Sequence, residues 1–295
     1  MLTKKQFDIL TYLEKNKEQK TQRELAEVLQ LSVGTINKTL KELNNAEYII
    51  NNRISEKGLE ALEPYRVKRA IFMAAGFGSR MVPITLNTPK PLVRVKGTRI
   101  IDTLLDAVIA AGIEEIYIIR GYLGEQFDQL LSKYPMIKFL ENPLYNETNN
   151  IGSIVIARDL LKSAYVLESD LYLNNPNLIT KYQYSSNYLG FYVERTDDWC
   201  VHLENNFISK VALGGINCYQ VIGISYWTEK DGESLISHIK SVYDSPGGKQ
   251  LLWGQVPLNH YKSHYNVSIR CCAPTDVVEL DSFSELKAFD PAYNS

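Results

Sequence analysis

In the first 66 residues, amphipathic helical patterns alternate with short polar breaks. The hydrophobic spacing predicts helices over residues 5–13, 22–29, 33–43 and 56–62, with a small hairpin over residues 48–55 before the last helix. Thr21 and Glu24 have the spacing of a capping box, and Ser32 precedes the third helix as a candidate N-cap. Three helices with a tight second connection, followed by a hairpin, predict a winged helix-turn-helix domain.

From Lys68 onward, short apolar runs typical of strands alternate with helical patterns. Strands are predicted over residues 70–73, 116–119, 137–140 and 165–168, with helices over residues 101–111 and 125–133. More strands (residues 189–193, 201–203, 207–211 and 221–226) and a helix over residues 233–243 follow. The β–α–β rhythm predicts an α/β fold, Rossmann-like, with a mixed, mainly parallel sheet and helices on both faces. We therefore expect two domains, residues 1–66 and residues 67–295.

Charge narrows the classes of partner. The 295 residues include 32 basic and 34 acidic side chains, a net charge of −2, so the whole chain is not a polybasic binder of nucleic acid or membranes. Residues 1–66 hold 11 basic and 10 acidic side chains, a weak footprint for DNA. DNA binding and a docking role are both open for this domain, because a fold does not determine function.

Localisation is expected to be cytoplasmic. The longest uncharged run, residues 211–228, is interrupted by polar residues and glycines and predicts no membrane span. The N-terminus lacks the apolar core of a signal peptide, and the four cysteines show no CxxC pairing.

The strongest chemical signal is a glycine-containing loop, M-A-A-G-F-G-S-R-M over residues 73–81. It lacks the third glycine of a dinucleotide fingerprint and the GK[ST] of a P-loop. Paired glycines after a strand let the backbone approach a phosphate or nucleobase closely, and Arg80 adds a fork of donors. Shortly downstream, Lys90 stands between two prolines in T-P-K-P-L, which indicates a positioned cation.

A-G-F-G-S-R-M followed by P-K-P-L-V-x-V-x-G resembles the signature of the nucleoside-triphosphate transferases, which join a nucleotide to a sugar phosphate or to choline phosphate. The resemblance extends from about Arg69 to the end of the chain. Further segments resemble bacterial CTP:phosphocholine cytidylyltransferases, among them Y-x-x-E-S-D ending at Asp170 and E-L-D-S around Asp281. The resemblance implies a nucleotidyltransferase that moves CMP from CTP to phosphocholine, giving CDP-choline and pyrophosphate with Mg²⁺.

The resemblance also assigns roles to residues. It implies that Asp170 and Asp281 bind Mg²⁺ and that Arg80 and Lys90 bind the phosphates. Glu168 departs from the aspartate that the family more usually has two positions before Asp170, and a supporting role is open for it. The residues it places at the nucleotide are Ala75, Gly76, Gly78, Gly121, Tyr122, Asn149, Asn150 and Ser153. Ordinary structural roles stay open for several of them, because Asp281 also suits a helix start and the asparagines also suit a turn.

The acceptor is less well defined by the sequence. A quaternary ammonium is held by aromatic faces, and the candidates for such a cage are Tyr145, Tyr192, Trp199, Trp227 and Trp253. Each of these side chains also suits a hydrophobic core. Leucines beside Trp253 replace the polar or aromatic neighbours of the family, so phosphoethanolamine and 2-aminoethylphosphonate are alternative acceptors. A DNA-binding regulator with a nucleotide-sensing domain is an alternative of another class.

Overall fold

A computed structural model describes residues 1–16 and 20–294. The chain divides into two compact units. The first contains the described residues up to Arg66 together with Tyr182–Tyr184, and the second contains the rest. In the part of the chain that the structure describes, no helix is both long and apolar enough to cross a membrane.

The first unit has the predicted winged helix-turn-helix elements. They are α1 (Lys4–Lys15), α2 (Gln22–Val28), α3 (Val33–Asn45), the antiparallel hairpin β1 (Ile49–Ile50) and β2 (Arg53–Ile54), and α4 (Glu56–Leu62). Thr3 and Thr21 form complete capping boxes at α1 and α2, and the Ser32 side chain accepts from the Thr35 amide at α3. These caps satisfy amides that the first helical turn leaves unpaired, which explains why each helix begins where it does.

The core of the first unit includes three residues distant in the sequence. The Tyr184 ring stacks on Tyr65 with centroids 5.5 Å apart and also contacts Phe7 at 5.3 Å. The hydroxyls of Tyr184 and Tyr65 both hydrogen-bond to the Leu2 backbone. Because Tyr182–Tyr184 follow 115 residues of the second unit, the boundary at residue 66 does not separate two independent stretches of chain.

The second unit is built on one seven-stranded sheet. Its strands are β3 (Arg69–Ala74), β6 (Glu115–Arg120), β7 (Ile137–Glu141), β8 (Ala164–Glu168), β10 (Asn187–Glu204), β11 (Phe207–Trp227) and β12 (Ser268–Cys271). Two small strand pairs lie outside this sheet. They are β4 (Arg94–Val95) with β5 (Thr98–Arg99), and β9 (Leu171–Leu173) with β13 (Val277–Glu279). The strand order is β10-β12-β11-β8-β3-β6-β7, in which β8, β3, β6 and β7 are mutually parallel and β11 is antiparallel to β8.

Helices cover both faces of this sheet, as predicted. They are α5 (Ile100–Ala110), α6 (Ile151–Ala157), α7 (Glu229–Tyr243) and α8 (Phe283–Phe289). Side chains alternate along β3: Phe72 belongs to the buried cluster that contains α5, whereas Ile71 belongs to the cluster that contains α6 and α7. The predicted Rossmann-like mixed sheet is therefore confirmed.

Several element predictions were wrong. The helix predicted over residues 125–133 is a 3₁₀-helix (Gly124–Ser132), whose buried residues Gly124, Phe127 and Leu130 recur every three residues. The four short strands predicted after residue 188 are two long ones, β10 and β11, because their antiparallel pairing continues through polar and glycine-containing stretches. Helix α6 was missed, and α7 begins four residues earlier than predicted because Thr228 caps it.

We predict that Tyr184→Ala destabilises the first unit by about 2–3 kcal/mol, since it removes a half-buried ring and its hydrogen bond. Hydrogen exchange of the amides in α1 and α3 measures this locally. Tyr192→Ala, which removes an exposed ring from β10, is the matched control and should leave that exchange unchanged. Equal protection in both variants would show that Tyr184 contributes nothing to this core.

Candidate active site

A cleft lies at the carboxyl ends of β3 and β8, the edge where open α/β sheets bind ligands. Its volume is about 700 Å³. The loop after β3 and residues 168–170 after β8 form part of its lining. Glu279 at the end of β13 and Asp281 just after it also line the cleft. They lie near Asp170 because β13 pairs with β9, which begins immediately after Asp170.

The glycine loop is pinned in place by close packing. Gly78 has φ +66°, and a Cβ there would lie 3.1 Å from Cβ of Lys90 and 3.2 Å from Cγ2 of Thr85. The Thr85 hydroxyl donates to the Gly78 carbonyl at 2.9 Å. Only glycine combines this conformation with this close approach. The predicted residues Ala75, Gly76, Gly78 and Arg80 all line the cleft.

Lys90 is buried between two carboxylates. Its Nζ lies 2.8 Å from Oδ2 of Asp170 and 2.9 Å from Oδ1 of Asp281. Arg80, which is mostly exposed, contacts the same Asp281 oxygen at 2.8 Å. Burial alone would lower the pKa of Lys90, but the two aspartates outweigh it and hold this pKa above its ordinary value. The structure therefore brings all four residues predicted as catalytic into one ionic network.

Three carboxylates next to this lysine are close enough to share a metal ion. One oxygen each from Glu168, Asp170 and Glu279 lies within 4.8 Å of the others. Burial, followed by the charge of Asp170, raises the pKa of Glu168 to about 7. Desolvation, followed by the charges of Asp170 and Asp281, raises the pKa of Glu279 to about 8.

The unshared oxygen of Asp170 fits a cation. Asp170 Oδ1 is buried and has no hydrogen-bond partner within residues 1–16 and 20–294. A buried carboxylate oxygen is costly unless a donor or metal satisfies it. Oxygen-only donors with this crowding of negative charge are the set that Mg²⁺ prefers.

A glycine makes room for the carboxyl group of Glu168. A Cβ at Gly223 on β11 would lie 2.3 Å from Oε2 of Glu168, so the carboxyl group occupies the space of the absent side chain.

Glu279 was missed by the sequence analysis. The signal for Glu279 was its position two residues before Asp281 in a strand. Only the pairing of Glu279 with Leu171 shows that this strand ends beside Asp170.

The predicted Asn149, Asn150 and Ser153 line the cleft from the start of α6. Asn150 Oδ1 accepts from the Trp253 amide at 2.8 Å, and the Asn149 amide donates to the Lys249 carbonyl at 2.8 Å. The Ser153 hydroxyl accepts from the Asn142 side chain at 3.1 Å. The two asparagines therefore hold the segment around residues 249–253 at the cleft, and Ser153 is tied to Asn142.

Gly121 and Tyr122 do not line the cleft. A Cβ at Gly121 would lie 2.7 Å from Cβ of Tyr145, so this glycine lets Tyr145 reach the lining. The Tyr122 hydroxyl donates to the Thr85 carbonyl at 2.9 Å, and its ring contacts Phe77 at 4.5 Å. Both residues therefore support the glycine loop and the cleft wall from behind.

The predicted aromatic cage is not assembled. Tyr145, Trp199 and Trp253 line the cleft, but Trp227 is fully buried in the core, where its indole donates to Ser225. Tyr192 is exposed on β10, away from the lining. Trp253 itself is only 4% exposed, because it packs against Tyr188 and Trp227 with centroids 6.2 and 5.6 Å away.

Comparison with known proteins adds to this geometry. Residues 69–196 match the family model described as Nucleotidyl transferase, and residues 2–50 match that described as Winged helix-turn-helix DNA-binding. The chain is 38% identical over 228 residues to the 2-aminoethylphosphonate cytidylyltransferase of Lancefieldella rimae, which covers 76% of this chain and 92% of that protein. It is 30% identical over 219 residues to the choline-phosphate cytidylyltransferase of Haemophilus influenzae, which covers 73% of this chain and 93% of that protein.

A solved structure is also similar to this chain in both fold and sequence. The CTP:phosphocholine cytidylyltransferase of Streptococcus pneumoniae superposes with a TM-score of 0.70 at 30% identity, covering 77% of this chain and 99% of that one. All three proteins are named as cytidylyltransferases; two of the names give choline phosphate as the acceptor and one gives 2-aminoethylphosphonate.

We predict that the carboxylate cluster makes folding stability fall as pH rises from about 5 to 8. A glutamate in the unfolded chain titrates near pH 4.3, so in this interval the folded state binds more protons and the free energy of unfolding decreases with pH. Urea denaturation at several pH values measures this decrease. Glu168→Gln should reduce it, and added Mg²⁺ should oppose it. An identical pH dependence in Glu168→Gln would contradict the prediction.

Proposed function

Because the chain belongs to the cytidylyltransferases of the nucleotidyl transferase family, we propose that it transfers the cytidylyl group of CTP to 2-aminoethylphosphonate and releases pyrophosphate. The observation that carries the choice of acceptor is the burial of Trp227, which leaves the cleft without the predicted cage for a quaternary ammonium. The relative that shares 38% identity has the same acceptor in its name. Phosphocholine, the acceptor predicted first, is the alternative.

The reaction is a displacement at the α-phosphorus of CTP. A phosphonate oxygen of the acceptor forms the new P–O bond, the bond to the bridging oxygen of the β-phosphate breaks, and pyrophosphate leaves with that electron pair. Acceptor and triphosphate are both anionic, so their repulsion must be offset at the point of attack. Arg80 and Lys90 supply two positive charges there, and Ala75, Gly76 and Gly78 line the cleft, where their backbone can approach a phosphate closely.

The carboxylates would hold Mg²⁺. Glu168, Asp170 and Glu279 are the ligands that the observed cluster favours, and the ion when bound neutralises charge on the triphosphate. Asp281 stays a predicted ligand as well. In this structure its carboxylate holds the side chains of Arg80 and Lys90, which orients both cations toward the cleft.

The ammonium group of the acceptor distinguishes the alternatives. A primary ammonium carries three N–H donors and seeks oxygen acceptors, whereas a trimethylated nitrogen has none and seeks aromatic faces. The cleft is lined by Tyr145, Trp199 and the mostly buried Trp253, together with carboxylates and amides. This lining is better matched to a primary ammonium than to choline.

We predict pyrophosphate release from CTP with Mg²⁺ and 2-aminoethylphosphonate, and at least 10-fold lower kcat/KM with phosphocholine. Asp170→Asn should lower kcat/KM about 100-fold or more, because it removes a charge that contacts Lys90 and belongs to the carboxylate cluster. Asp159→Asn, at an exposed position paired with Arg158, is the control and should be fully active. A preference for phosphocholine would overturn the proposed acceptor while leaving cytidylyl transfer intact.

A second function is proposed for the first unit, namely binding of duplex DNA. Residues 2–50 match a DNA-binding winged helix-turn-helix model, and the exposed side chains of Lys38 and Lys41 stand on α3, the helix that enters the major groove in such domains. Glu42 on the same helix accepts a hydrogen bond from Gln6. The near-neutral charge of this unit makes the expected affinity low.

If α3 binds DNA, Lys38→Ala and Lys41→Ala should each weaken binding and reduce the slope of log K against log [salt] by about 1. Fluorescence anisotropy with genomic fragments from around the coding region measures both quantities. Lys4→Ala, at a lysine that is paired with Asp8 on α1, is the control. Absence of binding at low salt would contradict this second function.

A further inference from the structure

We propose that Asp198 and Gln220 form the subsite that recognises the ammonium group of the acceptor and so determine specificity for a primary amine. The proposal rests on the proposed function, because it names the recognition element of the same cleft. Both residues line the cleft, Asp198 from β10 and Gln220 from β11.

A hydrogen-bond network holds the two side chains in one arrangement. Gln220 Nε2 donates to Oδ2 of Asp198 at 2.9 Å, and Gln220 Oε1 accepts from the hydroxyl of buried Thr196 at 2.9 Å. The Asp198 backbone amide donates to the same hydroxyl at 3.1 Å. The amide of Gln220 is thus oriented with its NH₂ group toward the carboxylate.

This arrangement leaves one carboxylate oxygen available. Oδ1 of Asp198 has no hydrogen-bond partner among the residues that the structure describes, and the side chain is exposed to the cleft. An ammonium with N–H donors can form a charge-assisted hydrogen bond with this oxygen, whereas a trimethylammonium cannot. Trp199 and Leu213, which line the same wall, offer apolar surface to the two-carbon chain.

A β-bulge aims Asp198 into the cleft. Thr196 pairs with Gly215 and Trp199 pairs with Leu213, so two residues of β10, Asp197 and Asp198, oppose the single residue 214 of β11. Gly214 has φ +75°. Bulges re-aim side chains next to active sites, and here Asp198 lines the cleft while Asp197 does not. The neighbouring aspartate therefore serves as a matched control of equal charge.

The test compares acceptors that differ only at the amine. Steady-state pyrophosphate release is measured with 2-aminoethylphosphonate, with propylphosphonate, in which a methyl group replaces the ammonium, and with the N-trimethyl analogue. We expect Asp198→Asn to lower kcat/KM for 2-aminoethylphosphonate about 10- to 100-fold, mainly through KM, and to change propylphosphonate less than 3-fold. Gln220→Leu should also lower kcat/KM for 2-aminoethylphosphonate more than for propylphosphonate, but by a smaller factor. Asp197→Asn should leave kcat/KM for both acceptors unchanged.

Calorimetric binding of 2-aminoethylphosphonate in the presence of CTP and Ca²⁺ separates this inference from the proposed function. Binding that is lost in Asp198→Asn and kept in Asp197→Asn supports the subsite even if no acceptor is turned over. Equal loss for all three acceptors, or an unchanged kcat/KM for the amine, would overturn the subsite and leave the proposed function standing. Unchanged thermal melting of Asp198→Asn is expected, because the side chain is exposed.

Discussion

Repulsion among four carboxylates around one buried lysine is the constraint on which the site depends. Burial, together with the charges of Asp170 and Asp281, raises the pKa of Glu168 to about 7 and that of Glu279 to about 8, even with Lys90 between the aspartates. Such crowding destabilises the folded protein, and a cation relieves it. A divalent cation bound here would offset the negative charge of the carboxylates, and the phosphate groups of the proposed substrate would offer oxygens to Lys90. The arrangement of these side chains therefore favours ligand binding over the stability of the fold.

The fold holds this unfavourable group together by backbone pairing and by absent side chains. Glu168 ends β8 and Asp170 lies in the turn before β9, and β13 brings Glu279 beside them through pairing with β9. Gly223 admits the Glu168 carboxyl group, as Gly78 admits the Lys90 stem. Hydrophobic clusters on both faces of the sheet supply the stability that this group of charges removes.

Local sequence patterns were enough to predict the winged helix, the central sheet and the loop that contains Arg80. Helix caps, the periodicity of hydrophobic residues and paired glycines all act over only a few residues. They were not enough where a contact joins distant segments. Glu279 enters the site only through strand pairing, and Tyr184 enters the core of the first unit from beyond residue 180. Trp227 was assigned to a cage because aromatics suit both a core and a cation site. Only the packing of the second sheet face shows that it is buried with Tyr188, Trp253 and Tyr265.

The same core also bears on the proposed acceptor. Tyr188, Trp227 and Trp253 pack on one another whether or not a ring face reaches the cleft, so their presence in the sequence does not by itself define a site for a quaternary ammonium. The wall formed by β10 and β11 carries a bulge that places Asp198 at the cleft, whereas the carboxylates lie at the ends of β8 and β13. The proposed acceptor subsite and the proposed metal ligands therefore lie on different strands, so substitutions can test each of them alone.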